Sequence, residues 1–315
     1  MSDLLLFVAQ AVAGKPPQLE PETAPTSLRQ TKQADSSSPA RPRVQATAAS
    51  RPRFSRTSDR LQQLQRTVIQ RPQVRPQLSP PPTLRPQSGA QLYAQRQAAL
   101  QAGTLFTRVQ PDSFQAGWQN AVQQPTYEQW QQLLRQEASA IAAGQGRNRL
   151  TVVVGDSLSL WLPPEMLSRD RFWLNQAISG DTTSGILQRL SNFADARPDT
   201  VHVMAGINDL KSGASDAEIL ANMHQIMTRL RQQHPQARIV IHSILPTRWE
   251  NIPSSRTRHL NRQIAYLAAY HRLSYLDLQP QFSNARGTLR KEFTTDGLHL
   301  NRLGYQAWQP ALLEV

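Results

Sequence analysis

Short, unbroken apolar runs alternate along this chain with longer stretches in which apolar positions recur every three or four residues. RLTVVVG (149–155), DTVHVMAG (199–206), ARIVIHSIL (237–245) and LSYLDL (273–278) are runs of the first kind. They are rich in β-branched residues and end in turn formers, so they predict strands buried on both faces. DTTSGILQRLSNFADA (181–196) predicts a helix with Ile186, Leu187 and Leu190 inward. SDAEILANMHQIMTRLRQQ (215–233) predicts a longer helix, with Ser215 and Glu218 spaced as a capping box. Further helices are expected over about 254–271 and over NRLGYQAWQPALLE (301–314), where Pro310 predicts a kink or break. Upstream, Thr126 caps and Gly144 stops a helix that places Trp130, Leu133, Leu134, Ala138 and Ile141 on one face. AQLYAQRQAALQAG (90–103) reads as a shorter helix ending at Gly103. Strands alternating with helices mean βαβ units and a parallel sheet covered on both faces.

Composition divides the chain unevenly. Of its 315 residues, positions 1–124 hold 14 of the 23 prolines and carry 15 Lys/Arg against six Asp/Glu. Stretches such as RPQVRPQLSPPPTLRPQ cannot bury enough apolar area to offset their ordering entropy. The expected organisation is therefore a short apolar segment over 1–14 and a disordered basic Pro/Gln/Arg-rich linker over 15–87. Helices and loops packed on the core follow over 88–124, then an α/β domain over 125–315. Leu92, Tyr93, Leu100, Leu105, Phe106, Phe114 and Trp118 are the apolar anchors that separate the third segment from the second.

The net charge of +13 mainly reports that leader. Its arginines are dispersed and few aromatics interleave, so a weak contact with a polyanion or membrane surface is expected, and no specific nucleic-acid partner. The absence of cysteine excludes disulfides, thiolate metal sites and a Cys nucleophile. No histidine pair has metal-ligand spacing with a carboxylate, so no metal is expected. His202 and His242 read as core or sheet-face residues, and His224, His234, His259 and His271 as solvated helix positions. The apolar run Leu4–Val12 is too short to span a bilayer and is preceded by Asp3, not by a cation. A soluble chain, cytoplasmic or peripherally membrane-associated, is the expectation over a secreted one.

In a parallel α/β sheet, ligands bind beyond the carboxyl ends of the strands. Five strand ends or loops are candidates: Gly155-Asp156-Ser157, Gly180-Asp181 after FWLNQAIS, Gly206-Ile207-Asn208-Asp209, Pro246-Thr247-Arg248, and Asp296 with His299 in TTDGLHLN just before a helix. Four of the five carry a serine, a close-approach glycine, an asparagine, or an acid with a histidine. A serine hydroxyl needs a base to take its proton. A histidine suits that task when a carboxylate fixes its tautomer. A developing oxyanion needs fixed N–H donors, which a glycine backbone or an asparagine amide supplies. Asp156 reads as a structural residue bonded to nearby backbone and Asp209 as a turn or cap residue. Leu158, Leu160 and Trp161 read as core residues that are also candidates for an acyl pocket. Arg248 reads as a surface salt-bridge residue.

GDSLS, AISGDTT, GIND and DGLH, in that order, resemble the four sequence blocks of the SGNH hydrolases, the GDSL esterase/lipase family, in its bacterial thioesterase/lysophospholipase and acetylhydrolase-like branch. The resemblance covers about 149–309. It implies a three-layer α/β/α, flavodoxin-like domain with a parallel sheet of about five strands behind the disordered leader. It implies Ser157 as nucleophile, His299 as base and acid, Asp296 as its partner, and the Ser157 N–H, Gly180 N–H and Asn208 side chain as oxyanion donors. The implied activity is hydrolysis of carboxylic esters or thioesters through an acyl-enzyme, lysophospholipase- or acetylesterase-like, on a small ester substrate without a cofactor. The alternatives are a polysaccharide O-acetyltransferase, and a tethered anionic-surface binding module with vestigial hydrolase activity.

Overall fold

The structure is a computed structural model that describes residues 84–313. The expected segment 1–14 and residues 15–83 of the expected linker lie outside the described residues.

The chain opens with helix α1 (Gly89–Gln101), the short α2 (Gln115–Trp118) and α3 (Tyr127–Gly144). It then alternates through β1 (Leu150–Gly155), α4 (Ser157–Leu160), β2 (Phe172–Ala177), α5 (Thr183–Arg189), β3 (Thr200–Met204), α6 (Ile207–Ser212) and α7 (Asp216–Gln233). It closes with β4 (Arg238–His242), α8 (Ser254–Tyr270), β5 (Ser274–Leu276), α9 (Gln279–Phe282) and α10 (Arg302–Leu313). The five strands are all parallel and lie in the order β2-β1-β3-β4-β5, the flavodoxin-like order with its switch point beside β1.

Both faces of the sheet are covered, which is why the strands read as continuous apolar runs. Val152 and Val154 of β1 point into the larger core with Ile226 of α7 and Ile264 of α8. Val153 points the other way, into a cluster with Trp173, Leu245 and Trp308 of α10. A third cluster packs Leu92 and Phe106 against Trp130, Leu133, Leu134 and Leu160. Among the described residues no helix is long and apolar enough to cross a membrane.

Local differences from the expected elements have simple causes. Thr126 and Gln129 form a full capping box on α3, whereas at α7 only the Ser215 hydroxyl cap onto the Glu218 N–H is present. Pro310 does not break α10, which continues to Leu313 without the bond that Pro310 cannot donate to the carbonyl four residues back. His234 is buried and stacked on Phe193, not solvated. His224 and His271 hydrogen-bond each other at 2.8 Å.

His202 and His242 form a buried chain. The Trp308 Nε1–H donates to His242 Nδ1 (3.2 Å), so the proton shared between His242 Nε2 and His202 Nδ1 (2.9 Å) comes from His242. Burial, with Arg238 and Arg171 nearby, pushes His202 down to about 3, and burial with His202 beside it pushes His242 well below the ordinary value. Both rings are neutral when folded, and the unfolded chain takes up their protons first as pH falls. Stability is therefore expected to be full above the ordinary value near 6.5 and to fall between there and about 3. Urea midpoints at pH 7 and pH 5 measure this, and His202→Gln is expected to lessen the difference, with the buried His242 still contributing; an unchanged difference contradicts it.

Two buried guanidiniums tie the layers together. Arg96 of α1 is 0% exposed; its Nε donates to Glu137 Oε1 (3.0 Å), its Nη2 donates to Asn175 O of β2 (2.7 Å), and it lies 4.4 Å over the Phe106 ring. Removing one partner of such a pair strands the other charge in the core. Arg96→Ala is expected to cost about 3–5 kcal/mol of stability, read as a lower denaturation midpoint for the full chain. A loss below about 1 kcal/mol, the range of an exposed pair, contradicts a buried role.

Candidate active site

Three adjacent strands in the order β2-β1-β3 deliver their loops to one place. Gly155 at the end of β1 is in register with Ala177 of β2 and Met204 of β3. Ser157, Gly180 and Asn208 follow within a few residues of those ends.

Gly155 owes its identity to close packing, not to a turn. A Cβ there would sit 2.4 Å from Ser159 Oγ and 2.6 Å from Met204 O. The sequence marks Gly155 as a turn former at the end of a strand; in the fold it instead lets β3 and α4 press against the end of β1. Asp156 then caps α4, its Oδ1 accepting the Leu158 N–H at 3.0 Å. Asp156 is 0% exposed, and burial, with Asp181 and Asp209 nearby, pushes its carboxyl up to about 7. Ser157 opens the helix and keeps 7% exposure.

The His299 loop is bound onto the end of β4. Thr247 Oγ1 and the Arg248 N–H both donate to Gly297 O (3.0 and 2.8 Å), and Trp249 Nε1 donates to Asp296 O (3.2 Å). Gly297 adopts φ +91°, a conformation that favours glycine. Arg248 forms no ion pair among the described residues; its guanidinium donates to Leu289 O (3.0 Å), so it is a loop tie and not the expected surface salt bridge. On the other side, Tyr305 of α10 donates to Leu158 O (2.9 Å), fixing that helix to α4.

The result is a continuous hydrogen-bonded chain. Ser157 Oγ lies 3.1 Å from His299 Nε2, and His299 Nδ1 lies 2.6 Å from Asp296 Oδ2. The other carboxylate oxygen, Oδ1, accepts the N–H groups of Leu298 (2.9 Å) and His299 (2.8 Å). Partial burial pushes the Asp296 carboxyl up, but these hydrogen bonds from the His299 ring and the two N–H groups outweigh it and hold it below the usual range. With Asp296 ionised, the ring proton sits on Nδ1 and leaves Nε2 free to accept from the serine.

The flanking loops are held by buried carboxylates. The Asn208 Nδ2 donates one N–H to Asp181 O (3.0 Å), joining the β3 loop to the β2 loop. Asp209 accepts from the Thr183 N–H (2.9 Å) and Thr183 Oγ1 (2.5 Å) and so holds the start of α5. Arg189, invisible to sequence reasoning, is 1% exposed. It donates to Asp181 Oδ2 (2.6 Å), to Gly155 O (3.0 Å) and to Gln176 O, so one side chain secures the ends of β1 and β2 and the loop after β2. Leu158 and Leu160 are core, whereas Trp161 is half-buried and lines a groove of about 690 Å³ beside His299. A separate cavity of about 560 Å³ between α8 and α9 contains none of these residues. Among the described residues no cluster of His, Cys, Asp or Glu is arranged to hold a metal.

A parallel α/β sheet with a serine, an imidazole and a carboxylate in line at its carboxyl edge defines the class of acyl-transferring hydrolases. Residues 141–307 match the GDSL-like lipase/acylhydrolase family, and the chain belongs to it; it is a GDSL-type carboxylic ester hydrolase. It is 31% identical over 173 residues to the platelet-activating factor acetylhydrolase IB subunit alpha1 of Bos taurus, covering 52% of this chain and 74% of that one. Against the Homo sapiens protein of that name the identity is 32% over 176 residues, with the same coverage. A GDSL-like lipase from Bacteroides thetaiotaomicron shares the fold at a TM-score of 0.51 and 17% identity, covering 58% of this chain and 95% of that one.

Proposed function

We propose that this chain is a serine esterase that hydrolyses carboxylic esters, thioesters included, through an acyl-enzyme on Ser157. The reading rests on the line from Ser157 Oγ through His299 to Asp296. His299 takes the hydroxyl proton as Oγ attacks the ester carbonyl, then passes it to the departing alcohol. Water repeats the sequence in reverse and releases the acid. Asp296 holds the ring tautomer and stabilises the imidazolium. The N–H groups of Ser157 and Gly180 and the second N–H of the Asn208 amide receive the oxyanion.

The substrate class proposed is acetylesterase- or lysophospholipase-like, in keeping with the acetylhydrolase names of its relatives. A 4-nitrophenyl ester series from acetyl to dodecanoyl tests it, with turnover expected to be highest at the acetyl end. No turnover of any member contradicts the reading.

Asn208→Ala is expected to lower kcat for the acetyl ester by roughly 10²–10³-fold with a smaller change in KM, the usual effect of losing one oxyanion donor. An unchanged kcat leaves Asn208 only as the tie to Asp181.

A further inference from the structure

The groove beside His299 is built partly from chain that precedes the family domain. One wall is the start of α10, with Arg302. The segment Arg85–Gln87, upstream of the matched residues 141–307, also lines the groove. Trp161, Met166 and Leu300 supply apolar surface between them.

The segment is fastened in place. Arg85 pairs with Glu165 at 2.9 Å. The Gln87 N–H donates to Gln91 Oε1 (2.8 Å), and its side-chain amide donates to Arg85 O (3.1 Å). Pro86 is buried and also closes a small adjoining cavity of about 70 Å³ that holds Phe106 and Leu160.

The charges in the groove are one-sided. Among the described residues Arg85 and Arg302 line it and no carboxylate does; Glu165, which pairs with Arg85, lines the adjoining cavity. Arg302 makes no ion pair among the described residues. An apolar floor between two guanidiniums complements an apolar body that carries an anion, since a guanidinium binds carboxylates, sulfonates and phosphates by charge-assisted hydrogen bonds.

We propose that Arg85 and Arg302 form a specificity subsite for esters whose alcohol portion is apolar and bears an anionic group. The inference rests on acyl transfer at Ser157. It makes Arg85–Gln87 a substrate wall that the hydrolase domain alone does not supply.

The test uses the full chain and two acetyl esters with the same ring: 2-naphthyl acetate and its 6-sulfonate. In Arg85→Gln/Arg302→Gln the ratio of kcat/KM for the sulfonate over the neutral ester is expected to fall about tenfold, mostly through KM. In the unsubstituted chain the ratio is expected to fall as salt rises, because exposed charges are screened over about 8 Å at physiological ionic strength. Binding of naphthalene-2-sulfonate, followed by tryptophan fluorescence, is expected to weaken by a similar factor in the double variant. A ratio and an affinity both within twofold of the unsubstituted chain overturn the subsite. A chain that binds the sulfonate through these arginines but hydrolyses neither ester overturns the esterase reading and leaves the subsite standing.

Discussion

Ser157→Ala is expected to lower kcat for an acetyl ester by roughly 10⁴-fold or more while the chain stays folded. Without the hydroxyl no acyl-enzyme forms, and only direct attack by water inside the oxyanion site remains. The substitution removes one atom from a position that keeps 7% exposure and makes its side-chain hydrogen bond only to His299, so the core is untouched. An unfolding free energy within about 0.5 kcal/mol of the parent, the range for changes that disturb no packing, separates loss of chemistry from loss of fold. Comparable turnover in the folded variant contradicts the mechanism.

The next largest effect is expected from Asp296→Asn. The carboxylate accepts three hydrogen bonds, from the His299 ring, the His299 N–H and the Leu298 N–H. An amide in its place can turn its NH₂ toward the ring and favour the tautomer with its proton on Nε2, which cannot accept from Ser157. A fall of roughly 10³–10⁴-fold in kcat is expected, with KM changed far less. Asp296→Ala gives the contrast: it also removes the cap on the Leu298 and His299 N–H groups, so it is expected to lower stability as well as rate. A folded Asp296→Asn variant with kcat within tenfold of the parent removes the carboxylate from the mechanism.

How much of this was legible in the sequence depended on what each residue answers to. Strands β1, β3, β4 and β5 follow from short apolar runs such as Thr151–Val154, because burial on both faces favours apolar side chains, whereas β2, with buried Asn175 and Gln176, does not form such a run. Ser157 and Asn208 stand out because each sits in a short block at a strand end, and Asp296 with His299 because they share a short block just before the last helix. The buried arginines do not stand out. Nothing in the sequence marks Arg96 or Arg189, since their partners Glu137 and Asp181 lie 41 and 8 residues away and only folding brings them together. Gly155 carries a signal, but the crowding by Ser159 and Met204 that requires it is tertiary. The same holds for Arg85–Gln87, whose Pro- and Arg-rich composition matches the leader before it. Its role comes from Glu165, Gln91 and the cavities it closes.

The division into a leader, a packed segment over 88–124 and a hydrolase domain over 125–315 is proposed on the same grounds. Leu92, Phe106 and Trp118 are buried, and Arg96 reaches into the core from α1.

The central claim is that Ser157 is an activated nucleophile, and covalent labelling tests it most directly. A fluorophosphonate probe reacts with a serine hydroxyl only where a base and an oxyanion site assist the attack. Mass spectrometry of the labelled full chain is expected to find one phosphonylated residue, Ser157, with labelling lost in Ser157→Ala and strongly slowed in Asp296→Asn. No labelling of the folded chain, or a label on another serine that persists in Ser157→Ala, contradicts the account.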